Sequence, residues 1–321
     1  MKPIRIELPT EFDVGSVNSY LFTEPEPILV DCGVETAASW AALQNGLAQH
    51  DLAPADIRRV VVTHPHVDHF GLAAKIAALS GAQVWIADIG AKWLIAPKKY
   101  FGLRADYYRE HFLIQAGLPE ETAQMVLGYF DQIADNITPV PAESIQTFGI
   151  NDSLAMGGAT WQVRHMPGHA SHQTCFYQPE SRQFLSADML LPKTPTPIVE
   201  RPSPNQPRQP SLPIYLESLA RCEALDIDTV YPGHGEPFRN HRQLIQKQRE
   251  RIHQRKTEAL SLIRQGHHTA YALMNQMYAH YPTAFRFAGL WMLIGYLDLL
   301  QAEGAITVET VNGVWQYYVN E

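Results

Sequence analysis

Short runs with strand character, separated by turn-forming clusters, fill the first three quarters of the chain, and helical spacing dominates the remainder. Residues 28–30, 59–63, 182–185 and 227–230 read as strands, since each is short, largely apolar or β-branched, and flanked by Gly, Pro, Asp or Asn. Segments 72–79, 214–225, 239–264, 269–278 and 284–302 carry helical periodicity, with Gly304 as a stop after the last. Two more strand-like runs, 305–309 and 314–319, flank Asn312-Gly313, a strong hairpin signal.

Composition narrows the class without naming a function. The chain has 321 residues, 45% of them apolar, which is ordinary for a soluble globular protein and ample for a sizeable core. A formal charge of −8 argues against a general nucleic-acid binder, although a local basic face survives within an acidic average. Cys32, Cys175 and Cys222 are odd in number and widely spaced, and Met1-Lys2-Pro3-Ile4-Arg5 lacks the apolar core of a secretion signal. Residues 285–300 contain Arg286 and Asp298, so no stretch is suited to span a bilayer. The expectation is a cytoplasmic protein without a membrane partner.

Candidate chemistry gathers where the strands end. The run 59–63 leads into His64-Pro65-His66-Val67-Asp68-His69. On an extended segment residues i, i+2 and i+4 share a face, which predicts that His64, His66 and Asp68 point into one space, with His69 following as the chain turns. Pro167-Gly168-His169, Ser186-Ala187-Asp188 and Tyr231-Pro232-Gly233-His234-Gly235 repeat the theme of a metal-ligand residue among turn formers. Imidazoles suit zinc or iron and carboxylates suit harder ions. Two cations roughly 3.5–4 Å apart lower the pKa of a shared water from 15.7 to about 7, so a hydroxide nucleophile exists at neutral pH. His50, His111 and His253 lack such context and read as surface residues.

On these residues the chain resembles the metallo-β-lactamase fold, in its dinuclear, glyoxalase II-like branch. The resemblance covers residues 1–239 and fills every ligand position. It implies an α/β architecture, a four-layer αββα sandwich of two mixed sheets with the metals at one sheet edge. It implies two divalent ions, zinc first with iron or manganese as alternatives: His64, His66 and His169 on one, Asp68, His69 and His234 on the other, and Asp188 bridging. Asp68 is the expected catalytic proton acceptor. Asp31, which closes the 28–30 strand, is implied to orient the ligand loop rather than to ligate; its plain alternative is a strand-end turn. His172 stands one position before the place, here Gln173, where related motifs often carry a histidine, so it is read as pocket lining or as a satisfied non-ligand. A Glu occupies the position of His66 in flavodiiron members, so the histidine favours hydrolysis of a small ester, thioester or lactone. A mononuclear-iron persulfide dioxygenase branch shares the ligand pattern and stays open.

Two interruptions and a tail complete the expectations. Residues 88–141 read as a helical cap insertion, with Tyr100, Phe101, Tyr107, Tyr108, Phe112, Tyr129 and Phe130 interleaved with Lys98, Lys99, Arg104 and Arg109. The spacing of Tyr108, Phe112 and Gln115 suits a packing face; the functional alternative is an aromatic lid whose cations meet an anionic small-molecule substrate. The proline-dense stretch 191–213 reads as an extended lip of the site or a simple connection. Residues 240–321, with a basic helical run and then helices and a hairpin, resemble the small C-terminal winged-helix domain of a hydrolase subgroup that includes an endoribonuclease. That makes a metal-dependent endoribonuclease or phosphodiesterase the runner-up. Against it, segment 284–302 is crowded with Phe285, Phe287, Leu290, Trp291, Leu293, Ile294 and Leu297 around a single Arg286. The tail is therefore read as scaffold, substrate wall or the contact of a homo-oligomer.

Overall fold

The computed structural model describes residues 2–12, 14–135, 137–193, 208–281 and 283–320. Its first sheet takes β1 (Ile4–Leu8), β2 (Val17–Phe22), β3 (Ile28–Val30), β4 (Arg59–Val62), β5 (Gln83–Ala87) and β6 (Ile145–Phe148) in sequence order. β1 to β3 pair antiparallel and β3 to β6 parallel. The second sheet holds β7 (Ser153–Met156), β8 (Ala159–His165), β9 (Thr174–Gln178), β10 (Gln183–Ala187) and β11 (Thr229–Pro232), also in sequence order, with only the last pair parallel.

Strand periodicity explains the layering. Leu29, Val60 and Val62 pack outward with residues of α1 (Ala37–Ala48) and of α3 (Ala73–Ser80), which follows the short turn α2 (Val67–Phe70). Their neighbours Ile28, Val30 and Val61 face Trp161, Phe176 and Leu185 of the other sheet. Successive side chains on a strand point to opposite faces, so strands buried on both sides read as continuous apolar runs. Phe22 and Trp161 meet edge-on at 5.7 Å in the middle layer. The outer face of the second sheet, including Phe184 and Cys175, is covered by α8 (Ser211–Glu223) and α9 (His241–Arg264). This is the expected αββα sandwich.

The insertion between β5 and β6 runs through α4 (Ala91–Ile95), α5 (Pro97–Tyr107), a π-helical turn at Tyr108–Phe112, α6 (Leu113–Gln115) and α7 (Glu120–Asp135). Its halves serve different layers: Trp93, Leu94 and Phe101 pack with the helices of the first sheet, whereas Tyr108, Phe112 and Leu113 enter the core outside the second. Tyr108 and Phe112 are fully buried, as a packing face requires. The tail continues α9 into α10 (Ala270–Met277), α11 (Thr283–Ala302) and the hairpin β12 (Ile306–Val311) and β13 (Val314–Val319). Asn312 and Gly313 have φ of 50° and 82°, the two positive values that a two-residue hairpin turn needs.

The tail and the second sheet share one core. Phe112 stacks on Trp291 at 4.6 Å, with Tyr108 at 5.0 Å from the same indole. Gly295 brings α11 so close to α8 that a Cβ there would lie 2.6 Å from Leu212 Cβ. Among the described residues no helix is long and apolar enough to cross a membrane. The proline-rich run 194–207 and the side chains of Tyr129, Phe130, Phe285 and Phe287 lie outside the described residues.

Candidate metal centre

The loops that leave β4, β8, β10 and β11 meet at one edge of the sandwich. Ligand atoms of His64, His66, His169 and Asp188 form one cluster and those of Asp68, His69 and His234 a second, each cluster within 4.8 Å of its own members. In the first, Nδ1 of His66 lies 2.9 Å from Nε2 of both His64 and His169. Asp188 spans the two: its Oδ2 is 3.4 Å from His169 Nε2 and 3.5 Å from His234 Nε2, and its Oδ1 is 3.5 Å from His69 Nε2. Asp68 Oδ2 stands 3.4 Å from His234 Nε2 and 3.8 Å from His69 Nε2. His172 joins neither cluster and sets its ring 5.7 Å from that of Trp93. His50, His111 and His253 are exposed.

The local backbone corrects one sequence argument. The chain does not stay extended through Asp68: His66 caps the turn α2, with Phe70 N–H donating to His66 O at 3.2 Å, and that turn presents Asp68 and His69. The shared-face argument therefore holds for His64 and His66, which fall in one cluster, while Asp68 goes to the other. Asp188 is aimed by a different device. The pairing of β10 with β11 slips between Leu185 and Ala187, and Ala187 takes a φ of 44°. Such a bulge turns the next side chain out of the sheet. Gly233 leaves the room, since a Cβ there would sit 2.1 Å from Asp188 Oδ1 and 3.0 Å from His69 Cε1.

Hydrogen bonds behind the clusters fix which ring nitrogen faces inward. Asp31, buried and held in the left-handed region at φ 59°, accepts from His69 Nδ1 at 2.7 Å and from the amide and hydroxyl of Thr63 at 2.9 and 2.8 Å. The Thr63 hydroxyl, its proton committed to Asp31, accepts from His64 Nδ1 at 3.0 Å. His234 Nδ1 donates to Ser16 O at 2.9 Å. These assignments leave Nε2 of His64, His69 and His234 as lone pairs directed at the clusters. Asp31 thus occupies the orienting position that the resemblance implied.

Supporting residues that no sequence motif marks also appear. Asn18 Nδ2 donates to Pro232 O at 2.8 Å and Gly235 O at 2.7 Å, clamping the carbonyls on either side of Gly233 and His234. Tyr20 adds a bond to Pro232 O at 2.7 Å. Ser218 of α8 donates to Pro167 O at 2.7 Å, and Gly168, at φ 136°, lets Tyr215 approach the loop of His169. Thr174 ties the sheets together by donating from both N and Oγ1 to Thr63 O at 2.9 Å. The one hint in the sequence is that Asn18 and Ser19 break an otherwise apolar strand.

The donor set fits cations. Nε2 of His69 and His234 and Oδ1 of Asp188 are buried without a hydrogen-bond partner, a costly state unless an ion completes them. Burial disfavours charge on His69 and His234, yet the surrounding carboxylates of Asp31, Asp188 and Asp68 raise His69 well above the usual histidine range, and Asp188 with Asp68 pushes His234 up to about 10. Burial likewise opposes ionisation of Asp188 and Asp68, but the two imidazoles hold both below the usual carboxylate range. Without metal, protons take up the positive charge that this cage of anions demands.

Comparison with known proteins agrees with the geometry. Residues 12–234 match the model of the metallo-beta-lactamase superfamily. A Bacillus subtilis protein named as a probable metallo-hydrolase, YqjP, is 30% identical over 306 residues, covering 95% of this chain and 93% of its own. An Aspergillus fumigatus protein named as an atrochrysone carboxyl ACP thioesterase is 23% identical over 78% of this chain and 61% of its own. A metallo-beta-lactamase family protein of Thermus thermophilus superposes with a TM-score of 0.81 at 23% identity, over 99% of this chain and 98% of that one. With the sandwich, the two clusters and these matches in agreement, the chain belongs to the metallo-beta-lactamase superfamily and is a metal-dependent hydrolase.

Proposed function

We propose that this protein is a dinuclear hydrolase that opens a small ester, thioester or lactone. The observation that carries the reading is the convergence of the two ligand clusters on one shared carboxylate, Asp188. His64, His66 and His169 would hold one divalent ion and Asp68, His69 and His234 the other, with zinc suited to the imidazole-rich set. Bound there, two ions supply Lewis acidity that brings a water's pKa from 15.7 to about 7 and polarises a carbonyl oxygen. The remaining steps fall to the chain. Asp31, Thr63 and Ser16 keep the imidazoles in the ligating tautomer. Asp68, ionised and nearly buried, accepts the proton of the attacking water and passes it to the leaving group. The fungal relative named as a thioesterase supports the thioester member of the set.

The ribonuclease reading gains little from the basic helix α9. Arg242 bonds to the carbonyls of Glu223 and Leu225, Arg249 pairs with Glu223, Arg255 with Glu258 and Lys256 with Glu303. Cations committed to local acceptors grip phosphates poorly. We read residues 240–321 as a winged-helix-like scaffold, supported by the core they share with the second sheet. The test is turnover by metal-quantified protein of thioesters, lactones, phosphodiesters and RNA, with and without chelator. Acyl substrates should be cleaved, and Asp68→Asn should lose about 10²–10⁴-fold in rate. RNA cleavage without acyl turnover refutes the reading, and full turnover by Asp68→Asn carrying both metals removes Asp68 from the proton-transfer role.

A further inference from the structure

Beyond the metal cage lies a buried cation that no carboxylate among the described residues neutralises. Arg104 of α5 is 5% exposed, and its Nη2 is buried without a hydrogen-bond partner. No carboxylate pairs with it among the described residues. Its guanidinium lies 4.7 Å from the ring centre of Trp93 and 5.0 Å from that of Phe101. Ring faces attract a cation but accept none of its in-plane N–H groups. A guanidinium stripped of water normally stands opposite a carboxylate or phosphate that its planar fork can grip. Burial pulls the Arg104 pKa down, in line with an unmet demand for negative charge.

Its location ties this cation to the centre. Trp93, on which Arg104 stacks, sets its ring 5.7 Å from that of His172. His172 lies three residues beyond His169 on the same loop, and its Cβ is 3.7 Å from where a Cβ on Gly90 would stand. The start of the insertion thus roofs the loop that carries His169, and Arg104 is one indole behind the roof. Lys98 and Lys99, on the same helix, are exposed and carry no such demand. We infer that Arg104 is a specificity residue that binds an oxyanion, a carboxylate or phosphate, carried by the substrate at a distance from its scissile acyl bond. The inference rests on the hydrolase reading and narrows its substrate class to anionic acyl compounds.

Two experiments test it, one of them independent of turnover. Succinate, inorganic phosphate and the uncharged control butyramide are titrated into the metal-loaded protein while its melting temperature is followed. Succinate or phosphate should raise the melting temperature of the wild type, butyramide should not, and Arg104→Met should remove the response. Arg104→Met should itself melt no lower than the wild type, because methionine deletes an unpaired buried charge; if that variant does not fold, Arg104→Lys replaces it and should show a diminished response. In the kinetic arm, succinyl and butyryl thioesters of N-acetylcysteamine differ in an acyl carboxylate, and butyryl thioesters of phosphopantetheine and pantetheine differ in a phosphate. Arg104→Met should raise KM by about 30-fold or more for whichever anionic member is preferred, as expected for loss of a buried charge pair, and leave the neutral butyryl compound nearly unchanged. Equal responses of wild type and variant to the anions, or equal changes in KM for charged and neutral compounds, overturn the inference. Anion binding through Arg104 in a protein that hydrolyses none of the thioesters would refute the thioester member of the hydrolase reading and retain the binding site.

Discussion

Replacing Asp31 by asparagine should harm the second metal position more than replacing it by alanine, although asparagine is nearly isosteric. In the native protein Oδ1 accepts from Thr63 N, while Oδ2 accepts from both His69 Nδ1 and the Thr63 hydroxyl. An asparagine that keeps its oxygen toward the Thr63 amide points an NH₂ at His69 Nδ1. The imidazole then accepts at Nδ1, its proton moves to Nε2, and Nε2 is the atom that faces Asp188 at 3.5 Å and Asp68 at 3.8 Å. A protonated Nε2 cannot ligate. Removal of such an orienting partner costs about 10–100-fold in metal affinity, or roughly 1.4–2.7 kcal/mol. Asparagine enforces the wrong tautomer and belongs at or beyond the upper end. Alanine leaves His69 free to choose and belongs near the lower end, with a larger loss of fold stability of about 1–3 kcal/mol from the orphaned Thr63 amide. Chelator competition on the two variants, read with metal stoichiometry and the nitrogen chemical shifts of His69, decides the matter. Wild-type affinity in Asp31→Asn, or weaker binding by Asp31→Ala than by Asp31→Asn, refutes the reasoning.

Other outcomes follow from the same contacts. Burial alone would lower the pKa of His234, but Asp188 and Asp68 push it up to about 10 in metal-free protein, above the unfolded value of about 6.5. That stabilisation is complete below the unfolded pKa and lost as pH climbs through the folded one, so the melting temperature of chelated protein should fall between about pH 7 and 10, and a rising curve would count against it. Metal loading, which needs neutral imidazoles, should tighten over the same range and release protons, measurable by titration calorimetry in buffers of different ionisation enthalpy. Gly233→Ala should displace Asp188 and weaken metal binding at least about tenfold, judged by the cost of disturbing ligand geometry. Gly128→Ala, in the exposed middle of α7 with open space around it, should instead stabilise by about 0.5–1 kcal/mol in thermal unfolding. Trp291→Ala should cost about 3–5 kcal/mol and lower a single unfolding transition, since the indole joins the tail to Tyr108 and Phe112; two separate transitions in the wild type would oppose a shared core.

Much of the site was legible because its chemistry is local. His64, His66, Asp68 and His69 fall within six positions, and His169, Asp188 and His234 each sit among turn formers that mark a strand end. The strand at 28–30 and the Asn312-Gly313 turn were readable for the same reason, since period and turn preference act over a few residues. The helical turn at Val67–Phe70 was not, because four residues are too few to show a period. Asn18 and Tyr20 escaped notice because their partners lie more than two hundred positions away. The burial of Arg104 was equally hidden: a lysine-rich helical stretch looks solvated throughout, and only packing reveals which cation turns inward. The contact of Phe112 with Trp291 depends on how the insertion and tail meet, which no local pattern encodes.

Each of the two clusters draws on loops of both sheets: His64, His66, Asp68 and His69 follow β4, while His169, Asp188 and His234 come from the second sheet. An ion seated in either position therefore rivets one half of the sandwich to the other. A cell starved of the metal would hold an enzyme that is both idle and loosened at this seam, open to proteases there, so scarcity should reduce how much of the protein survives as well as how fast it works.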